Sequence, residues 1–216
     1  MRLSKNIWMM LATAIAAFCL LAGVAFAATI TGTDANERLK GTADADTINA
    51  LGGKDKVHAR AGDDTVDGGS GNDRLFGERG NDSVSGGDDD DLMHGGPGDD
   101  TQDGGAGNDV IFAGVGVDVS LGGEGNDHLW ALARKDVTGV DGETVDTLDG
   151  GAGDDVLRAR DGEADVITCG EGNDVALLDT KDVITDATAT NANGSCEVVK
   201  RRDRRSSSDN TSETES

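Results

Sequence analysis

Aspartate recurs every ninth residue through most of this chain. Asp46, Asp55, Asp64, Asp73, Asp82, Asp91, Asp100, Asp109, Asp118, Asp127 and Asp136 keep that interval without a slip. A one-residue insertion near Val140 moves the frame to Asp146 and Asp155, and another within ARDGEAD moves it to Asp165 and Asp174. Upstream, Glu37 holds the equivalent place in GTDANERLK. A carboxylate offers oxygen and nothing else, and unpaired carbonyls of glycine-rich turns offer the same atom. Calcium takes six to eight oxygens at about 2.3–2.6 Å, whereas magnesium demands a stricter octahedron and keeps its waters. A transition metal would look for imidazole or thiolate, which the regular positions lack. The chemistry on offer is hard-cation binding.

Something must line those carboxylates up. With the acidic residue numbered sixth, position eight reads Leu39, Ile48, Val57, Val66, Leu75, Val84, Met93, Gln102, Ile111, Ser120, Leu129, Thr138, Leu148, Leu157, Ile167 and Ala176. Twelve of these sixteen are large aliphatics, so one face is apolar. Positions one, two and four are mostly glycine, as in GGPGDD, GGAGND and GGEGND. Glycine permits positive φ and close backbone approach, so positions one to six are expected to turn. Positions seven to nine are then a very short strand whose middle side chain points inward. Nine residues make half a coil, two rows make one coil, and coils stack about 4.8 Å apart. Aliphatic residues from opposite strands meet inside, and the turns stack along two edges. Same-edge carboxylates come roughly 5 Å apart, each pair repelling by about 1 kcal/mol at water's dielectric and about 3–4 at an effective 20. The ion-free chain is therefore expected to be largely disordered, with metal binding supplying the order.

GGSGNDRLF, GGAGNDVIF and GGEGNDHLW match the pattern G-G-x-G-x-D-x-U-x in full. From about residue 32 to 177 the chain resembles the repeats-in-toxin (RTX), or haemolysin-type, calcium-binding proteins. The resemblance implies an all-β fold, a right-handed parallel β-roll, with Ca²⁺ held between turns of rows i and i+2 on one edge. Each ion would take carboxylate oxygens from position six and carbonyls from the glycine-rich turns. Carried onto this chain, the metal ligands are Asp64, Asp73, Asp82, Asp91, Asp100, Asp109, Asp118, Asp127, Asp155 and Asp174, with about ten ions in all. The imperfect rows GTADADTIN, ALGGKDKVH and ALARKDVTG make Asp46, Asp55 and Asp136 poorer candidates. In GGDDDDLMH, Asp89 replaces the fourth-position glycine and is expected to strain the turn or add a ligand. Gln102, Ser120 and Thr138 put polar atoms where the core should be dry.

The ends differ from the repeats. Residues 1–27 combine MRLSKN, an apolar run and Ala25 and Ala27 before Ala28, the pattern of a cleaved Sec-type signal peptide; a retained anchor is the alternative. Cleavage would remove Arg2 and Lys5 and take the formal charge from −23 to −25. Export leaves Cys169 and Cys196, which in an oxidising compartment most simply form one disulfide; two free thiols are the alternative. Residues 28–177 form the roll, and 178–199 form a C-terminal cap that such a bridge would pin to the last coil. DVITCGEGNDV followed by CEVV also resembles the ending of many secreted actinobacterial proteins of this repeat class. Residues 200–216 read as a solvated basic then polar tail.

Aromatic content of 3% and a charge of −23 exclude a conventional large core and nucleic-acid binding through the body. His58, His94 and His128 are spread along the rows, and no convergent catalytic group accompanies them, so no enzyme is expected. The reading is a secreted, monomeric calcium-binding roll with a structural or surface role, free of the membrane once the leader is cut. A calcium-dependent adhesin or polysaccharide-binding module is the alternative. Positions seven and nine, where a binding row would show, are mixed: Arg74, Phe76, Ser83, Ser85, Thr101 and Asp103.

Overall fold

Side-chain alternation sets the architecture. In TVDGGS, residues Thr65–Ser70, Val66 and Gly68 face inward and are buried while Thr65 and Asp67 are exposed. The inward residues are thus position eight and, two places on, position one of the next row. The structure, a computed structural model, describes residues 26–132, 145–160, 163–185 and 195–201.

Among the described residues, eighteen strands alternate between two sheets. The odd-strand sheet contains β1 (Thr29–Thr33), β3 (Thr47–Leu51), β5 (Thr65–Ser70), β7 (Ser83–Asp88) and β9 (Thr101–Ala106). It continues through β11 (Val119–Glu124), β13 (Thr147–Ala152), β15 (Val166–Thr168) and β17 (Val183–Ile184). The even-strand sheet contains β2 (Arg38–Lys40), β4 (Lys56–Ala61), β6 (Arg74–Arg79), β8 (Leu92–Pro97) and β10 (Val110–Val115). It ends with β12 (His128–Leu132), β14 (Val156–Ala159), β16 (Val175–Leu178) and β18 (Val198–Arg201). Each strand pairs in parallel with the strand two places on, so Val66 lies opposite Val84 and Leu75 opposite Met93. Two rows therefore complete one coil, and the fold is the parallel β-roll expected.

One local expectation needs correction. Positions one to six do not all turn; the strand runs on through positions one to three, making six residues in β5 to β11. The reason is that position-one glycines such as Gly68 keep an extended backbone, and positive φ falls at positions two and four, as in Gly69 (93°) and Gly71 (105°). Only positions four to six turn. Asp89 takes that left-handed conformation without being glycine (φ 75°), so it is strained, as are Leu51, Arg60 and Glu78 at position two.

The core is built mainly of position-eight side chains, Ile48, Val57, Val66, Leu75, Met93, Ile111, Leu129, Leu148, Leu157 and Ile167 among them, with small position-one residues such as Ala50, Ala59 and Ala131 beside them. Gln102 and Ser120 are fully buried within it, and neither is left dry of partners. Gln102 Nε2 donates to the Phe112 carbonyl at 3.2 Å, and Ser120 Oγ donates to Gln102 Oε1 at 3.3 Å. The roll does not stop at Ala176: β17 pairs with β15 and β18 with β16 in the same parallel sense. Cys169 and Cys196 form the disulfide and are both buried. The signal segment up to residue 25, Asp136, Thr138 and the tail beyond Arg201 lie outside the described residues. No helix among the described residues is long and apolar enough to cross a membrane.

Candidate metal-binding turns

The sixth-position carboxylates are not an outward-facing row; they are buried and tied into two hydrogen-bonded ladders. On one edge the main-chain N–H of Asp46 donates to Asp64 Oδ1 at 2.6 Å, and Asp64, Asp82 and Asp100 donate in turn to Asp82, Asp100 and Asp118. On the other edge, Asp55 donates to Asp73 Oδ1 at 2.7 Å, and the series runs through Asp91, Asp109, Asp127, Asp155 and Asp174. All ten nominated aspartates stand in these ladders. So do Asp146 and Asp165, which rejoin the register beyond residues 133–144.

Each bond uses one oxygen. The second oxygen, Oδ2, of Asp64, Asp73, Asp82, Asp91, Asp100, Asp109, Asp127, Asp155 and Asp174 is buried with no hydrogen-bond partner in the structure. Leaving a buried carboxylate oxygen unsatisfied is costly, so nine such atoms in register make a donor set suited to a cation. Glycine at position one keeps space beside them. A Cβ at Gly68 would lie 2.7 Å from Asp73 Oδ2 and 2.5 Å from the Gly86 carbonyl oxygen. Any side chain there would push the carboxylate and the carbonyl apart, so glycine is what lets the two oxygens approach each other. The same pair, carboxylate and carbonyl, crowds Gly77, Gly86, Gly95, Gly104, Gly122 and Gly150, which precede Asp82, Asp91, Asp100, Asp109, Asp127 and Asp155. Ala59, Ala113 and Cys169 fill that place before Asp64, Asp118 and Asp174. Among the described residues no three His, Cys, Asp or Glu side chains converge, so main-chain carbonyls must complete any site. An oxygen-only donor set with few charges per ion fits calcium. Asp46 does not offer a spare atom: Ala28 N–H and Thr42 Oγ1 occupy Oδ1, and Thr42 N–H occupies Oδ2.

Burial sets the electrostatics. Desolvation pushes the carboxyls of Asp64, Asp73, Asp82, Asp109 and Asp127 up to about 6, and those of Asp91, Asp100 and Asp155 up to about 7. The ladder N–H opposes this, and neighbouring aspartates reinforce it, as Asp109 and Asp73 do for Asp91. Asp174 is raised too, first by burial.

Two features escaped the sequence reading. Position five carries a second ladder running the opposite way: Asn108 N–H donates to Asp90 Oδ1, Asn126 to Asn108, Asp154 to Asn126 and Asn173 to Asp154, at 2.7–3.0 Å. Its signal was the Asn-Asp dipeptide, in which only the second residue had been given work. The acidic ladder also extends past Asp174, since Asp165 N–H donates to Asp182 Oδ1 and Asp174 N–H to Glu197 Oε2. Ile184 and Val199, two places beyond each acid, were the available clue.

The mixed residues at position nine also sort by sheet. On the even-strand sheet His58, Phe76, His94, Phe112 and Trp130 stack in one row, ring centroids 4.5–5.2 Å apart. Arg158 caps it 4.6 Å from the Trp130 centroid. Phe76 separates His58 from His94, so the two imidazoles share no ion, as their spacing implied.

A family model for the RTX calcium-binding nonapeptide repeat matches this chain in four copies, at residues 31–66, 67–102, 103–129 and 141–176. Among curated proteins no match is found.

Proposed function

The chain belongs to the family of RTX calcium-binding nonapeptide repeats, and on that premise we propose that it is a secreted protein whose roll folds when calcium binds. Calcium binding with a structural role is what the repeats provide. The finer reading assigns Asp64, Asp73, Asp82, Asp91, Asp100, Asp109, Asp118, Asp127, Asp155 and Asp174 as ligands, with several ions, about ten, along the two edges. One observation carries it: the in-register row of buried Oδ2 atoms lacking a hydrogen-bond partner, seven of the nine beside a glycine-cleared carbonyl. Bound calcium would supply positive charge between turns that otherwise repel. The residues do the rest: Oδ1 holds the next turn through its N–H, Oδ2 faces the ion, and glycine at position one makes room. We assign no catalytic role to the roll. A disulfide and a leader-like N-terminal sequence support export. Circular dichroism in EDTA, then with added Ca²⁺ or Mg²⁺, tests the reading. A β spectrum that appears with calcium alone supports it; an unchanged β spectrum in EDTA refutes it.

A further inference from the structure

The nine strands of the odd-strand sheet contain no Lys or Arg, and they expose Asp67, Asp88, Asp103 and Glu124. The even-strand sheet carries nine, Arg38, Lys40, Lys56, Arg60, Arg74 and Arg79 on its first three strands, against one carboxylate, Glu78. Within the strands, every Lys and Arg thus lies on one face of a chain whose charge is −23. We infer that the β2–β4–β6 end of this face binds a linear carboxylated polysaccharide.

Register is the first argument. Arg38, Lys56 and Arg74 are direct cross-strand partners, on adjacent coils. Like charges directly opposite destabilise a sheet, and acids are abundant enough elsewhere to have neutralised them. Lys56 recovers part of that cost by standing over the Phe76 ring, 5.2 Å from its centroid; among the described residues Arg38 and Arg74 form no ion pair. It spans about 10 Å along the roll axis, one cation per coil. A polymer with one carboxylate on each sugar ring offers the matching row, and the guanidinium fork suits a carboxylate.

Glu78, the one acid on these strands, is engaged by His58 Nδ1 at 2.7 Å. The groove beside the row is lined by Arg38, Lys54, Lys56 and Arg74 and by five turn acids, Asp73 and Asp91 among them. Calcium bound at the sixth-position acids, as proposed above, would leave the cations of the row to set the charge there. The stacked rings turn their faces to each other and their edges outward, and aromatic edges carry the positive end of the ring quadrupole. Because the ring faces are taken, no nucleobase has a stacking surface, which single-stranded nucleic acids need.

The test is isothermal titration of the full chain in calcium with a short glucuronate oligosaccharide, a neutral glucan of similar length and a single-stranded oligonucleotide. Circular dichroism of the same samples shows whether the roll is folded, which separates failure of calcium-driven folding from failure of this inference. Expected is glucuronate binding that weakens with salt, no neutral-glucan binding, and about tenfold weaker binding by Lys56→Gln/Arg74→Gln. That variant relieves cross-strand repulsion and stays folded, while Asp67→Asn/Asp103→Asn on the opposite face binds as the parent does. Equal affinity of the Lys56/Arg74 variant, tighter oligonucleotide binding, or no glucuronate binding by folded protein overturns the inference. So does sedimentation showing the patch covered by a second copy's acidic face.

Discussion

At the scale of one residue, a sixth-position aspartate has two separable jobs. Oδ1 of Asp91 accepts the Asp73 N–H, and Oδ2 has no hydrogen-bond partner. Asparagine keeps the first job and loses the charge. Asp91→Asn/Asp109→Asn is therefore expected to raise the calcium concentration for half-folding by about tenfold, since charge count tunes such affinities. In chelator the same variant should be no less ordered than the parent, because a buried repulsion has gone. Circular dichroism against calcium reads both, and a variant equally impaired in chelator would make the aspartate a purely structural acceptor. The raised carboxyls set a pH dependence. The folded values of eight of them, about 6 for Asp64, Asp73, Asp82, Asp109 and Asp127 and about 7 for Asp91, Asp100 and Asp155, lie above the ordinary 3.8, so the ion-free folded state binds more protons than the unfolded chain. Its stability is fully present below about pH 4 and is lost as pH rises through about 7. Chelated protein should gain β-structure on acidification from pH 7.5 to 4.5, while the calcium requirement grows as protons compete. Dichroism over that range, with and without EDTA, checks both.

The turn and strand pair is the next scale, and here glycine decides. Gly107, at position four, has φ 144°, and a Cβ there would crowd the Asp89 carbonyl. Gly107→Ala is expected to cost about 1–3 kcal/mol, read as a lower urea midpoint in saturating calcium. The nine-residue interval made this element legible: Asp73, Leu75, Asp82 and Val84 alone define turn, strand and coil. Strand length was misread because glycine at position one looked like a turn residue, whereas Gly68 is extended and clears space for Asp73 and the Gly86 carbonyl. The position-five ladder was missed because Asn, Asp, Lys54 and Val117 all occur there: the donor is the main-chain N–H, so only the earlier of two stacked rows needs a side-chain oxygen. The aromatic row was missed for a topological reason. Phe76 and Ser85 are neighbours in the repeat but lie on opposite sheets, so reading every row together mixed two unlike faces. Asp182 and Glu197 lay outside any nine-residue frame, because an eight-residue row and the inserted segment before Ser195 break the count.

The whole molecule is a one-dimensional stack, each strand paired only with those one coil away, so its ends have neighbours on one side only. At the C-terminal end of the described residues β18 pairs with β16, and its lead-in, Glu197, continues the acidic ladder from Asp174. The Cys169–Cys196 bond fixes that end covalently across 27 residues. Closing a loop of that size removes about 3–4 kcal/mol of unfolded-chain entropy. In a stack of nearest neighbours the gain should be felt where the bridge sits. Cys196→Ser is expected to weaken hydrogen-exchange protection across Val175–Leu178 and Val198–Arg201, while β5 to β9 keep theirs in saturating calcium. At limiting calcium the variant should order its first coils before its last, giving a broader titration than the parent. Uniform loss of protection along the roll would instead mean that the stack folds as one unit, with the bridge acting on all of it.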